Sequence, residues 1–129
     1  MSRSTSNLLT QQILSFLFNH GAFAWRQNTQ GTYDAKRKIY RPATKVGVSD
    51  ILGCYKSVFI ACEIKVGKDR LRPEQIGFLK SIQHAGGEIM VVKDFNDFSD
   101  QWKLICHRVD SILQCNHEYK IQKRNYPME

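Results

Sequence analysis

Residues 47–65 read Gly47-Val48-Ser49-Asp50-Ile51-Leu52-Gly53-Cys54-Tyr55-Lys56-Ser57-Val58-Phe59-Ile60-Ala61-Cys62-Glu63-Ile64-Lys65. An Asp opens a short apolar strand, a turn follows, and a second apolar strand runs into Glu-x-Lys. If the chain reverses at Lys56-Ser57 with a two-residue turn, cross-strand partners have numbers summing to 113, and Asp50 lies opposite Glu63. Side chains alternate faces along a strand, so Glu63 and Lys65 share one face while Ile64 takes the other. Two carboxylates and an amine then converge at one edge of a buried hairpin, the composition of a divalent-metal site with an ammonium beside it.

The plainer alternative is a strand end whose charges reach solvent. Val58-Phe59-Ile60-Ala61-Cys62 speaks against it, because it lacks polar alternation, as expected of a central strand covered on both faces. A carboxylate continuing such a strand is costly to ionise without a compensating cation or donors. Directly opposed acids repel unless a cation lies between them. Mg2+ takes one or two protein carboxylates and fills its shell with waters and substrate phosphate oxygens, so this pair suits a catalytic ion better than a structural one.

Gly47-Val48-Ser49-Asp50, Glu63-Ile64-Lys65, Pro73-Glu74-Gln75 and the double glycine Gly86-Gly87 before an apolar strand together resemble the PD-(D/E)XK nuclease superfamily, in particular its small phage and bacterial VRR-Nuc branch. The resemblance spans about Ile13 to Asp97. It implies a restriction-endonuclease-like α/β fold, with an α-β-β-β-α-β core, a mixed central sheet flanked by helices, and here an added C-terminal helix. It also implies that Asp50, Glu63 and the backbone carbonyl of Ile64 hold Mg2+ or Mn2+. Many relatives carry a Glu on the first helix that completes the metal shell. Residues 1–33 of this chain contain no acid, and Asn7 or Gln11 stands in that region.

Composition agrees with a polyanion partner. The chain has 129 residues, enough for one domain with a single core, and a formal net charge of +7. Residues 34–72 hold ten Lys or Arg against four Asp or Glu. Such an excess favours nucleic acid through phosphate neutralisation and counterion release, although a basic protein without that partner has the same balance. Cys54, Cys62, Cys106 and Cys115 form no Cys-x-x-Cys pair and read as free thiols of a reducing compartment, with Cys54 and Cys62 on buried strands. Zinc binding by Cys106, His107, Cys115 and His117 matches no standard ligand spacing. No segment is long enough to span a bilayer, and the expected setting is the cytoplasm of a bacterial or phage-infected cell.

Along the chain, Ser4–Asn7 offer N-cap side chains for a first helix that Gly21 ends, and Ala22–Gln27 reads as a strand. Residues 28–47 are polar, with a brief extended stretch at Ile39-Tyr40-Arg41. After the hairpin, Pro73 suits the first turn of a second helix whose buried side is Ile76, Leu79 and Ile82, stopped at Gly86-Gly87. Glu88–Lys93 forms a further strand. Trp102, Ile105, Cys106, Val109, Ile112 and Leu113 mark a last helix. Residues 1–115 form a single domain and 116–129 a polar basic tail. The tight hairpin makes one strand pair antiparallel, and a helix crossover makes the next pair parallel.

The catalytic candidates are Asp50, Glu63, Lys65 and Gln75. Lys65 either assists an attacking water and offsets phosphate charge, or simply pairs with Glu63. Gln75 either turns its amide inward to a water, phosphate or Lys65, or caps its own helix. Candidate nucleic-acid contacts are Arg26, Lys36, Arg37, Lys38, Arg41, Lys45, Lys68, Arg70 and Arg72; Trp25 and Tyr40 either stack on an unpaired base or belong to the core, and Trp25 is assigned to the core. The expected activity is metal-dependent endonucleolytic hydrolysis of DNA, selective for branched, nicked or flapped structures, with a homodimer as the arrangement that would cut two strands. The alternatives are a nucleic-acid-binding module of the same fold with a weakened or inactive site, a site-specific restriction-type enzyme, and a small basic interaction protein in which Asp50 and Glu-x-Lys are coincidental.

Overall fold

The computed structural model describes residues 2–27, 32–41 and 46–115; Lys45 and the tail 116–129 lie outside the described residues. The elements are α1 (Ser2–Asn19), β1 (Phe23–Arg26), β2 (Thr32–Asp34), β3 (Ile39–Arg41), β4 (Ile51–Tyr55), β5 (Val58–Ile64), α2 (Pro73–His84), β6 (Glu88–Val92) and α3 (Phe95–Cys115). The main sheet has the order β1-β4-β5-β6, and β2 and β3 form a separate antiparallel pair. β1 and β5 each run antiparallel to β4, whereas β5 and β6 are parallel, so the sheet is mixed as expected.

The β4–β5 register pairs Ile51 with Cys62 and Tyr55 with Val58, the pairing that a two-residue turn at Lys56-Ser57 requires. Both turn residues sit in the left-handed region, with φ of 47° and 71°. Primed hairpin turns demand this, and side chains other than Gly, Asn or Asp adopt it at a cost of about 1–2 kcal/mol each. Lys56 is anchored there: its Nζ donates to Asp110 Oδ1 at 2.8 Å and lies 5.2 Å from the Tyr55 ring centroid.

The alternation of β5 divides two apolar layers. Ile60, Cys62 and Ile64 face α1 and α3, joining Leu9, Ile13, Leu17, Phe98, Trp102, Ile105 and Val109. Ala61 faces α2, beside Leu52 and Leu79. Glu63, two positions on from Ala61, belongs to this second layer and is 2% exposed. The central strand is thus covered on both faces over most of its length, and Glu63 enters the α2 side of the core.

Several expectations need correction. Ser4–Asn7 are not cap positions, since α1 already runs from Ser2 and Thr10 donates to the Ser6 carbonyl within it. The stretch 28–47 contains β2 as well as β3. Their turn is organised by Asp34, whose Oδ1 accepts the amides of Lys36 and Arg37 at 3.0 and 3.3 Å. Ile76 lies on the shoulder of α2 rather than its buried side, because the stripe that meets the sheet is Gln75, Leu79 and half-buried Ile82. Trp25 and Cys54 are exposed rather than core: β1 is an edge strand, and α2 covers only the β5–β6 side of that face. Ile112 and Leu113 are also exposed, since the 21 residues of α3 extend about 31 Å and outrun strands of five to seven residues.

Candidate metal and phosphate site

Four side chains meet on the α2 face where β5 ends. The loop before β4 delivers Asp50, one step beyond the ladder, and Asp50 Oδ2 accepts the Ile64 amide at 2.8 Å. Glu63 projects from the penultimate position of β5. Gln75 reaches it from the first turn of α2, its Nε2 donating to Glu63 Oε1 at 3.1 Å. Lys65 follows immediately after β5, with its amide bonded to the Val92 carbonyl at 2.8 Å and its Nζ 3.9 Å from Glu63 Oε1.

Backbone approach holds these parts together. Gly47 has φ +81° and lies against the first turn of α2, where an added Cβ would be driven into the Glu74 carbonyl. A glycine with left-handed φ and no side chain is what lets the Asp50 loop sit on the helix that carries Gln75. On the other side, Gln27 donates its amide to the Asp50 carbonyl at 2.7 Å, tying that loop to the end of β1.

Electrostatics make Glu63 the unusual member. Burial pushes its carboxyl up to about 8, repulsion from Asp50 and a carboxyl–carboxylate hydrogen bond with Asp50 push the same way, and the Lys65 and Arg72 cations oppose. With both acids ionised neither can donate to the other, and Glu63 Oε2 is then a buried acceptor with no partner. Leaving a buried charged acceptor unsatisfied costs at least about 1–3 kcal/mol, which a proton or a cation would relieve.

The residues present fit a hard divalent cation. The donors are oxygens, two carboxylates suffice for Mg2+, and one of their oxygens lacks a partner. Among the described residues no group of three or more His, Cys, Asp or Glu side chains forms, so the set depends on these two acids and backbone oxygen. Ile64, the expected carbonyl donor, turns its side chain into the α1–α3 layer, and its amide already serves Asp50.

Gln75 both caps its helix and turns inward, but its inward partner is Glu63 rather than a water, a phosphate or Lys65. Its Oε1 accepts the Arg72 amide at 2.9 Å and caps the helix, while its Nε2 turns inward to Glu63. Of the two helix-1 amides, Asn7 Oδ1 accepts Arg26 Nη2 at 2.7 Å, and Gln11 is exposed beside Leu8 and Phe95.

The basic candidates divide by location. Arg72 stands at the start of α2, largely exposed, with Nε 3.7 Å from Glu74 Oε1. Lys68 and Arg70 are exposed in the β5–α2 connection, and Lys68 lines a cavity of about 400 Å3 with Thr5, Val66, Gly67 and Asp69. Arg26 ends β1, opposite Ile51 and so adjacent to Asp50. Lys36, Arg37 and Lys38 are exposed on the β2–β3 turn, a separate small sheet that the Asp50–Glu63 contacts do not include. Arg41 is in β3.

Two neighbours escaped the sequence reading. Ser49 is fully buried with an unpartnered hydroxyl, its only signal being its place before Asp50. Phe23 is 75% exposed, and its pairing with Cys54 places it on the same sheet face as Glu63. Comparison of the chain with protein-family profiles, curated proteins and solved structures finds no match.

Proposed function

We propose that this protein is a metal-dependent endonuclease of the PD-(D/E)XK type, VRR-Nuc-like in its motifs, that hydrolyses phosphodiester bonds in DNA. The single observation carrying this reading is the Asp50–Glu63 pair: two acids thirteen positions apart brought into contact, one of them buried with an oxygen left without a partner. The α/β arrangement, with a mixed four-stranded sheet between helices, is compatible with a restriction-endonuclease-like core.

In this reading Asp50, Glu63 and the Ile64 carbonyl hold Mg2+ or Mn2+. The bound ion would polarise the scissile phosphate and make an associated water a better nucleophile. Gln75 fixes the Glu63 carboxylate from one side, and the Ile64 amide fixes Asp50 from the other. The Lys65 ammonium orients the attacking water and offsets charge developing on the phosphate. Arg72, whose charge acts on Glu63, together with Lys68 and Arg70 of the same β5–α2 connection, would hold flanking phosphates. Specificity in this reading is for DNA shape rather than for a long base sequence. A homodimer would supply two sites for two strands.

A second reading, a binding module of the same fold that does not cut, is favoured by one observation: the helix-1 amide Asn7 is engaged with Arg26 and lends no charge to the metal region. Nicking of supercoiled plasmid separates the two. The endonuclease reading expects relaxation in Mg2+ or Mn2+ that EDTA and Glu63→Ala both abolish. Retarded but uncut plasmid in either metal would establish the binding module instead.

A further inference from the structure

The α2 face of the sheet continues past α2 as an open surface. Phe23 and Trp25 on β1 pair with Cys54 and Leu52 on β4, and Cys54 pairs with Phe59 on β5. By strand alternation all of them share the face of Ala61 and Glu63. Phe23, Trp25 and Phe59 are 75%, 40% and 38% exposed. The first two rings are 5.8 Å apart and tilted by 55°, and the Trp25 indole N–H is held by Gln27 Oε1 at 3.0 Å.

We infer that this aromatic face seats unpaired bases of a DNA strand whose backbone passes the Asp50–Glu63 carboxylates. The inference rests on the hydrolytic reading of that site and names the substrate it prefers, DNA with a single-stranded segment such as a flap.

Three observations choose this occupant. The first is continuity. Leu52, beside Trp25, is two residues from Asp50, and Phe59 is four from Glu63, which puts the seats about 7–14 Å along the strands from the carboxylates. A strand threaded over the site therefore reaches the rings within one to three nucleotides.

The second is size. The exposed aromatic area is on the order of 300 Å2, at the low end of patches that serve a function and well short of the ~800 Å2 per partner of a stable interface. It is too small to hold a second copy unaided and large enough for two or three bases, each stacking on one ring. The third is charge. Among the described residues none of the aromatic positions has an acidic neighbour on this face before Asp50 and Glu63, and the chain carries +7 overall.

Two tryptophans make the test direct, because Trp102 is only 3% exposed and Trp25 alone can meet a ligand. In EDTA, so that cleavage plays no part, a thymidine oligonucleotide should quench wild-type Trp25 emission to saturation. The double variant Phe23→Leu/Trp25→Leu keeps an apolar surface without a stacking ring. It should bind a labelled oligonucleotide roughly tenfold or more weakly, with duplex affinity within about twofold of wild type. Unchanged emission at saturating oligonucleotide, or a leucine variant that binds as tightly as wild type, would overturn the seat. So would sedimentation of the free protein as a dimer with Trp25 shielded, which would assign the face to a second copy. Quenching and weakened binding without any Mg2+-dependent cut would support the seat while removing the hydrolytic reading.

Discussion

Gln75 makes one hydrogen bond with each end of its amide: Nε2 to Glu63 Oε1 at 3.1 Å and Oε1 to the Arg72 amide at 2.9 Å. The start of α2 and the end of β5 are therefore joined through a single side chain. The group that orients the buried carboxylate is the same group that satisfies a donor at the helix start, so stability and site geometry are coupled there.

Gln75→Ala should accordingly have two effects. Loss of the cap and of the donor to a buried carboxylate should cost about 1–3 kcal/mol, read as a lower urea midpoint at constant slope. On the proposed hydrolytic reading, metal-dependent cleavage should fall roughly 10–100-fold, the range for a residue that orients a metal ligand. An unchanged midpoint would mean that the Glu63 contact contributes nothing to the fold.

Glu63→Gln should abolish metal-dependent cleavage, by at least about 100-fold, while leaving the chain folded. The neutral amide also removes the buried charge, so stability near pH 8 should equal or exceed that of wild type. Circular dichroism melts beside plasmid nicking check both halves.

Stability should fall with rising pH when divalent metal is absent. Glu63 ionises near 4.5 when unfolded, but in the fold it holds its proton up to about 8. Between those values the folded chain binds more protons than the unfolded one, so this contribution is fully present below about pH 4.5 and is lost as pH rises through about 8. Melts from pH 5 to 8 in EDTA should show Tm falling by more than about 4 °C. Saturating Mg2+, competing with the proton, should flatten that slope. A slope that ignores Mg2+ would place the ion elsewhere.

Gly47→Ala and Gly67→Ala form a matched pair. Both glycines have positive φ, at 81° and 64°, but an added Cβ meets the Glu74 backbone at Gly47 and open space at Gly67. The Gly67 variant should lose about 1 kcal/mol for conformation alone, and the Gly47 variant about 2 kcal/mol or more. Only the Gly47 variant should also impair metal-dependent activity, because it moves the Asp50 loop off α2. Equal losses in denaturant titration would dismiss close approach as the reason for Gly47.

Much of this was legible in residues 47–65. Hairpin register, the shared face of Glu63 and Lys65, and a strand covered on both sides follow from alternation and a two-residue turn, which are local properties of the chain. The start of α2 at Pro73 and its end before Gly86 are likewise local, since proline favours the first helical turn and Gly86 takes φ +94° just past the helix. The strand Thr32–Asp34 was not legible, because three residues carry too little pattern to distinguish from a polar connection.

What the pattern could not supply was which distant surfaces meet. Trp25 lies in an apolar stretch that suits a core strand as well as an edge, and only the placement of α2 over β5 and β6 leaves it uncovered. Gln75 could have faced solvent, and its contact with Glu63 exists because the Gly47 loop, α2 and β5 converge. The charge state of Glu63 is of the same kind. Residue order along the chain sets what can share a face, but burial and repulsion are sums over everything that packs around a group, and those sums are defined only once the layers have closed.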